Sequence, residues 1–134
     1  MRAALALLAL AAAPSLAQVA PGPPPWSCSV AAACDARGCA SLPSMLVPSL
    51  RVEAGDAPGT ARIDGRPAGL FGSIPEAEAA VAAGAIPSDA AVVLVRDADD
   101  PADAVGLSAY APSYANGAAG LSEAYASLIC SAAP

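Results

Sequence analysis

The chain has 134 residues, a formal net charge of −6, no His, and only Arg among its six basic residues. Nucleic acids and anionic membranes are bound by clustered basic side chains, and these Arg residues are scattered, so neither is expected as a partner. The length suits one small domain. Because Ala supplies much of the 56% hydrophobic composition, large apolar side chains are few, and such a thin core would benefit from disulfides.

The N-terminus has the three parts of a secretory signal peptide. Arg2 provides a positive start, Ala3–Ala13 is an unbroken Ala/Leu run, and small residues precede a cleavage site between Ala17 and Gln18. The run is shorter than the ~20 residues that a membrane-spanning helix needs. We therefore expect residues 1–17 to be removed, leaving a periplasmic or secreted protein that is not inserted in the membrane.

The remaining chain divides into a Pro-rich linker, residues 18–25, and one domain, residues 26–134. Alternating or continuous apolar runs bounded by turn residues predict its strands. A Ser cap at Ser73, followed by Pro75 and Glu76, predicts one short helix that ends at Gly84. The strands are predicted at Trp26–Val30, Leu50–Ala54, Thr60–Asp64, Val92–Val95, Val105–Ala109 and Tyr125–Cys130. Successive hairpins of this kind are typical of a mainly β domain, a small antiparallel barrel or sandwich with meander topology.

Four Cys residues in a short exported chain predict two disulfides, with three possible connectivities. The turn-like residues between Cys34 and Cys39 favour pairing of these two across a tight hairpin, which would leave Cys28 to pair with Cys130. The other two connectivities stay open. A zinc site would show paired close spacings, often with His, and a thioredoxin-like site would show Cys-x-x-Cys; both patterns are absent. We interpret the four Cys as structural, with thiol redox chemistry at Cys34 and Cys39 as the alternative.

The chain resembles small uncharacterised periplasmic proteins of alphaproteobacteria, which combine a signal peptide, an N-terminal cluster of three Cys and a last Cys near the C-terminus. The matching residues here are Trp26, Cys28, Cys34, Cys39 and Cys130. The resemblance implies an all-β domain and no known activity. An Arg-only basic set with abundant Ala, Gly and Pro also suggests a bacterial genome rich in G and C.

Two segments are candidates for ligand or partner binding. The acidic segment Asp97–Asp103 could bind Ca²⁺, but the EF-hand pattern requires Gly where Ala102 stands and Glu where Ser108 stands, so we predict a solvated loop and no metal. Tyr110 and Tyr114 flank a predicted turn that contains Pro112, and their side chains could form a binding surface. Alternatively, one Tyr packs on the barrel and the other caps its end.

Without His or Lys the chain lacks the usual general bases and Schiff-base nucleophiles, and it carries no phosphate-binding glycine loop, so we expect neither an enzyme nor a cofactor. The sequence favours a monomeric, non-catalytic domain that binds another protein or a component of the cell envelope. An alternative is an inhibitor of an envelope-attacking enzyme, such as the small β-barrel lysozyme inhibitors, although there is no Lys to enter an acidic cleft.

Overall fold

The computed structural model describes residues 22–42, 49–100, 103–114 and 119–134. The predicted signal peptide and its cleavage site at Ala17 and Gln18 lie outside these residues. The described elements, in chain order, are β1 (Trp26–Asp35), β2 (Gly38–Ser41), β3 (Leu50–Ala54), β4 (Thr60–Ile63), β5 (Arg66–Phe71), α1 (Ile74–Ala82), β6 (Val92–Arg96), β7 (Val105–Ser113) and β8 (Gly120–Ala132).

Seven of these strands form a closed barrel, which confirms the predicted mainly β fold. Strands β3 to β8 are hydrogen-bonded in sequence order, and β1 closes the ring because it pairs with β3 on one edge and with β8 on the other. Strand β2 forms a hairpin with the second half of β1. A bulge between Val30 and Ala32 lets β1 continue past the predicted end at Val30, since the extra residue bends the strand without ending its pairing.

The two predicted disulfides are both present. Cys28 and Cys130 lie directly opposite each other on β1 and β8, 102 residues apart in sequence, so this bond joins the first and last barrel strands. Cys34 and Cys39 are opposite each other in the β1–β2 hairpin. No free Cys remains among the described residues.

The predicted helix is confirmed as α1. The Ser73 hydroxyl accepts a hydrogen bond from the Glu76 backbone N–H at 3.3 Å, and the chain leaves the helix at Gly84, whose φ of 72° suits glycine. The helix lies against the outer face of the barrel, where Ala77 and Val81 pack with Val93 and Val95 of β6. Strand β6 is therefore covered on both faces, which explains its continuous apolar sequence.

A second, larger core fills the barrel. Its buried members come from all seven barrel strands, because alternate residues of each strand face inward. The inward-facing and fully buried residues include Trp26, Val52, Leu94, Leu107, Leu128 and the Cys28–Cys130 pair.

Three parts of the predicted topology are wrong. Strand β5 was not predicted, because Pro67 and Gly69 interrupt its apolar pattern. The topology is not a pure antiparallel meander, because β5 and β6 are parallel and are joined through α1. The segment Tyr110–Tyr114 is not a turn: β7 continues to Ser113, and a bulge between Tyr110 and Pro112 accommodates a proline that has no N–H for the ladder.

Candidate ligand-binding site

One end of the barrel is closed by Trp26. Its side chain is buried, and the indole Nε1–H donates a hydrogen bond to the Gly22 carbonyl at 3.1 Å. At the same end the Ala133 N–H donates to the Pro25 carbonyl at 3.1 Å, so the segments before β1 and after β8 meet there. A depression of about 360 Å³ lies beside Trp26 and is lined partly by the segment 22–24.

The opposite end of the barrel contains a larger cavity, of about 640 Å³. Most of its lining is apolar and comes from residues of all seven barrel strands, and three charged side chains stand at its rim. The apolar lining consists of Val30, Leu50, Ile63, Pro67, Ala91, Val92, Ala109, Ala126 and Leu128. A volume of this size lies within the range of small-molecule sites, which are mostly apolar with a few polar groups.

The cavity exists because two facing positions on β7 and β8 are Ala. Leu107 and Leu128 form a cross-strand pair that is fully buried inside the barrel. Two residues further toward the open end, the corresponding inward-facing pair is Ala109 and Ala126. At this level two methyl groups stand where the level below has two isobutyl groups, and no other described side chain fills the remaining space.

The rim carries charges of both signs. Asp64 and Arg66 belong to the β4–β5 hairpin, in which Asp64-Gly65 forms a tight turn with positive φ at both residues, and Asp89 belongs to the loop before β6. The Asp64 Oδ1 accepts a hydrogen bond from the Arg51 N–H at 2.9 Å. The Asp-Gly pair was the sequence signal that could have revealed this hairpin, and with it β5.

The two Tyr residues proposed as a binding surface are in different environments. Tyr110 is half-buried on the outer face of β7, with its ring centroid 4.9 Å from that of Tyr125, whereas Tyr114 is 64% exposed just after β7. Partial burial, the nearby Tyr125 and the charge of Asp97 raise the pKa of Tyr110, and a hydrogen bond with Ser108 partly opposes them. The structure therefore does not bring Tyr110 and Tyr114 together across a turn.

Two of the four carboxylates in the acidic segment after β6 form hydrogen bonds within the protein. Asp97 accepts a hydrogen bond from the Ser108 hydroxyl at 2.7 Å, and Asp100 accepts from the Gly106 N–H and from the Arg96 Nε, both at 2.9 Å. No group of three or more His, Cys, Asp or Glu suited to a metal ion occurs within the described ranges. The hydrogen bonds fix this segment against β7.

The two disulfides differ in accessibility. Cys28 and Cys130 are 2% and 0% exposed inside the barrel. Cys34 is also buried, but its partner Cys39 is exposed, and both border a depression on the outer face that includes Asp97 and Tyr125. Only the Cys34–Cys39 bond is therefore within reach of a thiol in solution.

Two disulfides indicate an oxidising, exported environment. Among the helical residues that the structure describes, no helix is long and apolar enough to span a bilayer. No protein-family model, curated protein or solved structure matches the chain. The resemblance to small alphaproteobacterial periplasmic proteins therefore stays a prediction, and the candidate site stands on its geometry: a closed, disulfide-linked β-barrel with one open apolar end.

Proposed function

We propose that this protein is a non-catalytic binding domain of the bacterial periplasm or of a secreted fraction, which holds a small apolar molecule in the open end of its barrel. The observation that carries the proposal is the cavity of about 640 Å³, lined by residues of all seven barrel strands. Burial of apolar ligand surface would supply the affinity, at ~25 cal/mol per Å² before the costs of association. The lack of His and Lys supports the non-catalytic role.

The occupant expected from this lining is a component of the envelope with an apolar body. Below the rim, the described lining residues are aliphatic, and they contribute contact area without directional hydrogen bonds. The polar groups stand at the rim, where they would meet the part of a ligand that remains in contact with water. We expect the protein to bind as a monomer, because residues from every strand of a single barrel line the cavity.

Titration with Nile red, an uncharged dye whose fluorescence rises in apolar surroundings, tests the proposal. We expect saturation at one dye per chain, and a loss of about tenfold or more in affinity for Ala126→Phe, which fills the mouth. Ala54→Phe is the matched control, because Ala54 is exposed at the end of β3 and does not line the cavity. Ala109→Leu serves as a second filling variant if Ala126→Phe folds poorly. Equal dye affinity in the filled and control proteins would refute the proposal.

A separate experiment tests whether the protein is exported and its signal peptide removed. Intact mass of the unreduced, alkylated protein from its native compartment should begin at Gln18 and show two closed disulfides. Retention of residues 1–17 would contradict export. Two alkylated thiols, at Cys34 and Cys39, would instead favour the alternative function of a thiol-disulfide redox protein, because Cys39 is the exposed Cys of the two disulfides.

A further inference from the structure

Arg66 is the one cationic residue among the described residues that line the cavity, and it is exposed at the rim. Arg66 is directly opposite Ile63 in the β4–β5 hairpin, and Ile63 lines the cavity. Alternate residues of a strand share one face, so Arg66 lies on the same face of β5 as Ala68 and Leu70, which pack in the barrel core. The register therefore places Arg66 on the inner face of the barrel, at the open end.

Arg66 has no ion-pair partner within the described part of the chain, although three of the five described arginines do. Three others lie within 4.0 Å of a carboxylate: Arg51 with Glu53, Arg62 with Asp56, and Arg96 with Asp100. Neither rim carboxylate, Asp64 or Asp89, is that close to Arg66. Its guanidinium N–H groups are thus available to a ligand, and their planar geometry matches a carboxylate.

From this arrangement, which rests on the proposed function, we infer that the ligand is an amphipathic carboxylate. Its apolar chain lies in the barrel between the aliphatic walls, and its carboxylate binds the Arg66 guanidinium at the rim. Asp64 is less suited to binding a cationic head because one of its oxygens already accepts the Arg51 N–H. Asp89, on the loop before β6, opposes the bound anion and lowers its affinity without removing the contact at Arg66.

Three ligands with the same alkyl chain separate the contribution of the head group from that of the chain: dodecanoate, dodecanol and dodecyltrimethylammonium. Each is titrated as a monomer at neutral pH by displacement of Nile red. We expect dodecanoate to bind about tenfold more tightly than dodecanol, which is the range of one hydrogen-bonded charge. Arg66→Gln should remove this preference and leave dodecanol affinity unchanged.

Arg62→Gln is the matched control, because Arg62 belongs to the same hairpin but lies on the opposite face of β4 from Ile63 and does not line the cavity. Asp89→Asn should raise the affinity for dodecanoate and leave the affinity for dodecanol unchanged. Preference for dodecyltrimethylammonium, or equal loss of dodecanoate and dodecanol in Arg66→Gln, would overturn the inference while leaving an apolar site in place. If none of the three ligands displaces the dye, or the dye itself does not bind, the proposed function fails with it.

Discussion

Removal of the Cys28–Cys130 disulfide should destabilise this protein far more than removal of Cys34–Cys39. The chain-entropy model relates the contribution of a disulfide to the number of residues in the loop that it closes. Cys28 and Cys130 are 102 residues apart, and Cys34 and Cys39 are 5 apart. The model gives ~4.7 kcal/mol for the long loop and ~2 kcal/mol for the short one, so the two double variants should differ by ~2.5 kcal/mol in unfolding free energy.

Burial increases the expected difference. Both sulfurs of the Cys28–Cys130 bond lie in the barrel core, so substitution by Ala also removes packed atoms and leaves a small cavity. In the hairpin disulfide Cys34 is buried but Cys39 is exposed, so its removal takes fewer packed atoms from the protein interior. Since small domains have a total stability of ~5–15 kcal/mol, loss of the core disulfide removes a large fraction of it.

Urea unfolding measured by Trp26 fluorescence is a suitable assay, because this Trp is buried in the same core. With an m-value of ~2 kcal/mol per M, Cys28→Ala with Cys130→Ala should lower the midpoint by ~2.5 M or more, and Cys34→Ala with Cys39→Ala by ~1 M. Equal shifts for the two double variants, or a larger shift for the hairpin pair, would refute the argument from loop length and burial.

Gly106→Ala should destabilise the protein by ~1–3 kcal/mol, because a Cβ there would lie 2.9 Å from the Asp97 Oδ2. The control is Gly120→Ala, whose Cβ would meet no atom within 4 Å. Equal urea midpoints for the two variants would contradict this prediction. The pKa of the Tyr110 phenol should lie above 10.0. Ultraviolet titrations of the wild type and of Tyr110→Phe measure this pKa as the difference between the two curves. Since the folded state holds this proton more tightly than the unfolded state, its contribution to stability is complete below pH 10.0 and is lost as pH rises through the raised pKa. If the titration that Tyr110→Phe removes has a pKa of 10.0 or lower, partial burial does not disfavour the Tyr110 phenolate.

Local patterns predicted the elements whose residues alternate clearly or carry a cap. Strand β3 has the predicted bounds, Leu50–Ala54, because apolar and charged residues alternate with a period of two. The helix was also predictable from Ser73 and Glu76. Strand β5 was missed because its apolar residues are separated by Pro67 and Gly69, and its pairing with β6 depends on contacts between distant parts of the chain.

The candidate site could not be predicted because it consists of an absence of side-chain volume at particular register positions. Ala is so frequent in this chain that nothing in the sequence distinguishes Ala109 and Ala126 from other Ala residues. Only the pairing of β7 with β8 shows that these two face each other at the open end. Arg66, likewise, acquires its orientation from the β4–β5 register and not from any motif.

The two chain segments that meet at the Trp26 end have a consequence for how the molecule can be displayed. Because Pro25 and Ala133 are joined by a hydrogen bond at the end opposite the cavity, the protein has a built-in polarity. A tether attached ahead of β1 or beyond β8 leaves the mouth directed away from the point of attachment. Immobilisation on a sensor chip or fusion to another protein through either segment should therefore leave the open end of the cavity unobstructed.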